Sequence, residues 1–440
     1  MPQVYKLAKL SFVVVLFGQF GFSAAAYYLH VSNPSWPFWI ILYATSGVLA
    51  LGHITMAKLT TVKLTTPDLY FFAFIGYVVA SFVSVGESNQ LEFVLRLLLI
   101  CIGPYLCGRI IGKYAPIFPL STLQVLSLLY LLIIGVELVR NPDLFGSDRL
   151  FLFAAKDWDG IGGNPTSFNI GITLGSAWAI AFAYLSLGKE RHSVPVVSYA
   201  RAWLPVILLS FPAILLFIGS RTSVVSIALC AVVILGCASW VSPRKKIGWL
   251  GAIIAGLIVF YNFLPDQRKL LIDEIASAAF GFDDYASKFT FCAPGGSVFE
   301  RVVQLSEAWR LFLESPLLGI GATNYGLRFC GEAIEFASPH SLLVHVLVEY
   351  GLIGASLLML MLISIYRALL RSMRYGDYRT HPVVWGLFGV WVFVLIQVQF
   401  IGNLLYDYHV FLLTGLFVSS LYHGDRWVIR SNWTRQQVVT

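Results

Sequence analysis

Charge is scarce in this sequence. Only 12% of its 440 residues are Asp, Glu, Lys or Arg, against 58% hydrophobic residues, and the mean hydropathy is +0.77. Soluble domains average about 25% charged and about 45–50% apolar residues, so one large water-soluble core is excluded. Metal-ligand spacing is missing as well: no Cys/His cluster reads as a zinc site, and no Asp-rich pair reads as a divalent-cation site. There is no Ser nucleophile elbow, no internal repeat and no low-complexity segment. The start of the chain lacks a convincing signal-peptide pattern. Residues 10–31 are too long for an h-region and the small residues near Ala24 lead into more apolar sequence, so an uncleaved first span is expected. The net charge of +7 sits in short loops, and no nucleic-acid partner is expected.

What the chain does have is a series of apolar runs, each long enough to cross about 30 Å of hydrocarbon. The expected spans are 9–31, 36–56, 68–86, 91–112, 117–139, 166–187, 203–220, 222–242, 247–264, 341–372, 383–403 and 408–424. The fold class is therefore an all-α polytopic membrane protein of about 12 transmembrane helices, with membrane lipids as partners. With the N-terminus in the cytoplasm, Lys58 and Lys63, Arg109 and Lys113, Lys189, Arg191 and Arg201, Arg244 to Lys246, and Arg367 to Arg379 all fall in cytoplasmic loops. The outward loops are neutral or acidic, so the positive-inside rule orients the whole chain and puts the C-terminus in the cytoplasm too. Residues 1–264 then hold spans one to nine, 265–339 a large outward loop, and 340–440 the last three spans and a tail.

The outward loop 265–339 reads as a small helical cap, because long loops without a task are uncommon. Ser297 and Glu300 form a capping box and Pro316 ends the helix they start. At 100° per residue, Phe299, Val302, Val303, Leu305, Trp309, Phe312 and Leu313 fill one half of that helix, with Glu300, Glu307 and Glu314 on the other. Arg301 projects at the margin of the apolar half. Cys292 and Cys330 are the two cysteines of the cap, on the oxidising side, and are read as a disulfide.

Several residues have chemistry to offer. Arg221, in Ser220-Arg221-Thr222 between two apolar spans, is either a snorkelling anchor or an anion ligand whose planar fork suits phosphate oxygens. Arg96, inside the fourth span, is a candidate of the same kind. Ser338 and Pro339 read as N-cap and first residue of a long helix, which puts His340 at a helix N-terminus that disfavours imidazolium. His340 is then either an interfacial polar residue or a neutral proton acceptor. His345 competes for that role, since Glu349 lies four residues on and orients its ring, whereas Glu349 is nearly opposite His340 on the helix. Gln399, Asn403 and Asp407 recur every four residues, as interhelical glue or as the lining of a polar cleft. Gly319-Ile320-Gly321 offers backbone amides to phosphate.

Together these residues resemble a known signature. Phe299-Glu300-Arg301, Trp309, Pro316-Leu317-Leu318-Gly319-Ile320-Gly321, Asn324-Tyr325, Pro339-His340-Ser341 and Glu349-Tyr350-Gly351-Leu352-Ile353-Gly354 look like the O-antigen ligase and polymerase superfamily, and Ser220-Arg221-Thr222 resembles its upstream arginine motif. The resemblance implies a GT-C-like glycosyltransferase architecture in a bacterial inner membrane, with a periplasmic cap and a site facing the periplasm. It assigns Arg221 and Arg301 to the pyrophosphate of an undecaprenyl-pyrophosphate-linked glycan donor and His340 to the base. Many members carry Asn where Ser341 stands. The implied reaction is O-antigen transfer to a sugar hydroxyl of a lipid A–core acceptor, inverting and with neither metal nor cofactor. The rivals are an O-antigen polymerase, a protein O-oligosaccharyltransferase and a lipid-linked glycan transporter. Arg96 and Lys156 are expected on the acceptor side.

Overall fold

The computed structural model describes residues 9, 10, 12, 13, 64–85, 94, 97–114, 117–140, 165–186, 207, 208, 210–212, 214, 215, 221–238, 241–263, 299–322, 324, 325, 339–374, 382–401 and 408–423. All regular structure among them is helical. In chain order the helices are α1 Thr66–Val85, α2 Gly103–Tyr114, α3 Ile117–Arg140, α4 Pro165–Ser186, α5 Arg221–Cys237, α6 Pro243–Phe263, α7 Phe299–Glu314, α8 Leu342–Arg374, α9 Pro382–Ile401 and α10 Tyr408–His423. A π-helical turn, Leu98–Ile102, leads into α2. Stretches of four helices are long and apolar enough to cross a membrane: Thr66–Val83, Ile117–Val136, Leu342–Ser372 and Val383–Phe400. Shorter apolar helices cover Ile170–Ser186, Thr222–Cys237 and Tyr408–Tyr422, and the chain is a multi-pass membrane protein. The expected spans 9–31, 36–56 and 203–220 fall largely outside the described residues.

The axis of the bundle is α9. It carries no charged residue and is apolar all round, as a helix buried on every side must be. Val383 to Val394 are all buried, against α4, α5 and α10. The closest packing joins α2 to α10. A Cβ added to Gly108 would lie 2.0 Å from the Leu412 carbonyl oxygen, and one added to Gly415 would lie 2.1 Å from that of Tyr105. Gly108 and Gly112 have the small-xxx-small spacing that lets two backbones touch where lipid offers no hydrophobic drive.

At the start of α1 the buried Asp68 carboxylate accepts from the Thr65 amide (2.7 Å) and hydroxyl (2.6 Å), the Tyr105 hydroxyl (2.6 Å) and the Arg109 guanidinium (2.8 Å). Arg109, expected in a cytoplasmic loop, is instead inside α2 and 2% exposed. Its charge is tolerated there because Asp68 is a hydrogen-bonded counter-ion, which hydropathy alone does not reveal.

The apolar half expected for the cap helix divides in two. Ala308, Leu311 and Phe312 of α7 pack with Ile320, Tyr325 and Val348, while Leu305, Trp309 and Leu313 face outward. Of the acidic stripe, Glu307 and Glu314 both pair with Arg310. Ser297 lies outside the described residues.

Candidate functional site

The start of α8 differs from its sequence reading. His340 has φ +52°, in the left-handed region, so it stands before the helix rather than in its first turn. Ser341, not Ser338, is the N-cap: its carbonyl accepts the first intrahelical bond from the His345 amide (2.8 Å), and its Oγ accepts from the Val344 amide (3.4 Å). Ser and Asn are both strong N-caps, so Ser341 suits this position as Asn would. The Leu343 amide donates to Oε1 of Gln399 on α9 (3.2 Å), and the Ser341 hydroxyl donates to the same oxygen (3.4 Å). Two orphan amides of the first turn are thereby satisfied. His340 itself is partly exposed, between the buried Pro339 and Ser341.

One turn of α9 also holds the start of α5. Gln397, fully buried, donates through Nε2 to Ser223 Oγ (3.0 Å) and Thr222 Oγ1 (3.5 Å). Arg221 is the first residue of α5. Gln397 and Gln399 thus draw the helix starts that carry Arg221 and His340 to the same end of the bundle. Sequence reasoning named Gln399 within a four-residue repeat and missed Gln397. The signal was available as a second amide two positions away in an otherwise apolar span.

His345 and Glu349 do form the expected pair, Nε2 to Oε2 at 2.9 Å, with side chains 4% and 3% exposed. Their burial contrasts with the partial exposure of His340.

The Gly319-Ile320-Gly321 amides are not available to phosphate. Gly319 N–H donates to Ser315 O (2.9 Å), Ile320 N–H to Val348 O (2.9 Å) and Gly321 N–H to Glu349 O (3.0 Å). The last two carbonyls are freed by a break in α8 at Gly351, which has φ +62° and ψ −165°. The break also frees two amides. Leu352 N–H donates to Pro316 O (2.8 Å) and Ile353 N–H to Leu317 O (3.2 Å). Residues 316–321 and the broken helix therefore complete each other's backbone hydrogen bonding, and the glycine motifs on both sides are a backbone splice.

Arg301 lies in the first turn of α7, whose packing on α8 and Tyr325–Gln304 hydrogen bond (3.0 Å) fix its course. Arg96, Lys156, Asn403, Asp407, Cys292 and Cys330 lie outside the described residues. Among the described residues, no three His, Cys, Asp or Glu side chains group as metal ligands would.

Residues 205–359 match the family model described as O-Antigen ligase. No curated protein matches the chain. The matched stretch runs through Arg221, Arg301, His340 and the Gly351 splice, and this similarity supports a member of the O-antigen ligase/polymerase superfamily.

Proposed function

We propose that the protein is an O-antigen ligase, transferring polysaccharide from undecaprenyl pyrophosphate to a sugar hydroxyl of lipid A–core at the periplasmic face of the inner membrane. The observation that supports it most is the pair of helix starts held by Gln397 and Gln399, with Arg221 at one and His340 at the other. The donor is already activated, since pyrophosphate is a good leaving group. What remains is to take the proton from the acceptor hydroxyl, align that oxygen with the anomeric carbon, and neutralise charge on the departing pyrophosphate. His340 takes the proton, a role typically worth about 10²–10⁴-fold. Arg221 and Arg301 stabilise the leaving group as preorganised donors in a low-dielectric site. The C–O bond to the acceptor forms as the C–O bond to pyrophosphate breaks, so one displacement inverts the anomeric centre. No step requires a metal, and transfer is expected to persist in EDTA.

The nearest alternative is the polymerase, which uses the same donor and extends a second lipid-linked glycan. A transporter fits less well: it needs polar groups along the full membrane depth, whereas the proposed residues sit at one end of the bundle. Purified protein supplied with donor and either lipid A–core or a second donor molecule separates the two enzymes. Glycan joined to lipid A–core is the expected product. Extension of the second donor with lipid A–core untouched overturns the ligase in favour of the polymerase. We further propose that Cys292 and Cys330 are bridged, which non-reducing mass spectrometry of the intact protein tests.

A further inference from the structure

Helix α7 has three sectors rather than two. Gln304, Ala308, Leu311 and Phe312 are buried, and Ser306, Arg310 and Glu314 make an exposed polar side. Between them runs an exposed apolar strip: Leu305 (43%), Trp309 (60%) and Leu313 (59%), continued past the helix by Leu317 (63%) and Leu318 (60%). So long a run of large apolar side chains on one edge is the mark of an interaction surface.

Its neighbours identify what covers it. The Tyr77 hydroxyl donates to Leu318 O at 3.2 Å. Tyr77 is well inside α1, about 12 Å from its Val85 end at 1.5 Å per residue. Gly351, where residues 316–321 meet α8, is about 14 Å from the start of the apolar stretch Leu342–Ser372. Two helices able to cross a membrane therefore touch this turn well below their ends. The strip is also continuous with the exposed apolar surface of α8 at Leu352 and Ile353, whose amides bond to Pro316 and Leu317.

Irregular backbone at such depth is tolerated only when its polar groups are satisfied within the protein. Here they are. The carbonyls of Pro316, Leu317 and Leu318 and the amides of Gly319, Ile320 and Gly321 all have partners at 2.8–3.2 Å.

We infer that this segment is bound by the bilayer itself, in the leaflet at the His340 end of α8, rather than standing clear of it as a cap. In this arrangement α7 lies in the interface with Leu305, Trp309 and Leu313 toward the acyl chains, and residues 316–321 form a re-entrant turn within that leaflet. Trp309 sits at headgroup level, where indole is favoured, and the Arg310 side faces water. The inference is independent of the reaction proposed above.

The test uses the full-length protein in phosphatidylcholine vesicles with plain or acyl-brominated lipid. Subtracting the fluorescence of Trp309→Phe from that of the unmodified protein isolates Trp309. Its emission should be blue-shifted, lose most of its intensity in brominated lipid and resist aqueous iodide. Leu318→Trp in the Trp309→Phe background should behave likewise, and Leu313→Trp gives the same readout if that variant fails to insert. Quenching of Trp309 by iodide but not by brominated lipid overturns the interfacial helix. The same result for the tryptophan at 318 or 313 overturns the re-entrant turn.

Discussion

Gln397 and Gln399 stand two residues apart on α9, and each holds the first turn of a different helix: Gln397 that of α5 through Ser223 and Thr222, Gln399 that of α8 through Leu343 and Ser341. An apolar side chain at 399 would leave the Leu343 amide without its acceptor, and for this part-buried bond the loss is about 0.5–1.5 kcal/mol. Gln399→Leu should therefore lower transfer per folded molecule, because the turn presenting His340 loses its anchor. Gln399→Glu keeps an acceptor oxygen in place and should recover most of the rate. Equal rates for the two variants and the unmodified protein would show that the anchor does not matter to the reaction.

The two histidines should fail in different ways. His340 is partly exposed ahead of the helix, so His340→Ala should insert and fold normally yet transfer nothing. His345 is buried against Glu349, and its removal leaves that buried carboxyl group without its hydrogen-bond partner, which typically costs about 1–3 kcal/mol. His345→Ala should lower the yield of folded protein while the surviving molecules keep their activity. Thermal unfolding in detergent and transfer rate per folded molecule measure both. The opposite pattern would move the base to the His345–Glu349 pair.

Arginine is chosen over lysine wherever two oxygens of one phosphate must be held at once, since its fork is planar and its charge permanent. Arg221→Lys and Arg301→Lys should each lose most of the activity, and the Ala variants somewhat more. Donor-concentration series would show whether kcat or KM carries the loss. Full activity in either Lys variant would mean that the site asks only for charge.

These outcomes reflect how unevenly the sequence displays its structure. Apolar runs of twenty residues announce helices such as α1, α3, α8 and α9 directly, because length and composition alone decide membrane crossing. The His345–Glu349 pair was legible for the same reason: four residues on one helix is a local relationship. What stayed hidden was non-local. Arg109 looks like a loop residue until Asp68, 41 positions away, is seen beside it. Gly319 and Gly321 look like a phosphate cradle until the Ile320 and Gly321 amides are traced to a helix broken at Gly351. Helical periodicity also runs α8 straight through that break, since nothing in an apolar pattern marks a positive φ. The start of α8 shifted for a related reason: Ser338-Pro339 and Ser341 are both good caps, and Gln399 on another helix decides between them.

The splice yields the sharpest stability prediction. Gly319 and Gly351 both have positive φ, +80° and +62°, and each backbone lies against the other's strand of the splice. A Cβ on Gly351 would be 2.3 Å from the Leu317 carbonyl oxygen, and one on Gly319 would be 2.3 Å from that of Glu349. Neither contact can be relieved by turning a side chain, because the atoms met are backbone. Such a positive-φ backbone alone costs about 1–3 kcal/mol for a residue with a Cβ. Moving the strands apart to relieve the clash would break hydrogen bonds worth about 0.5–1.5 kcal/mol each. Gly351→Ala and Gly319→Ala should therefore each destabilise the protein by several of these increments, seen as a sharp fall in thermal unfolding temperature and in inserted protein. Gly135→Ala is the control: it is helical, with no atom within 4 Å of the added Cβ, and should leave stability nearly unchanged. If Gly351→Ala unfolds at the same temperature as Gly135→Ala, the four backbone hydrogen bonds across the break do not hold residues 316–321 to α8.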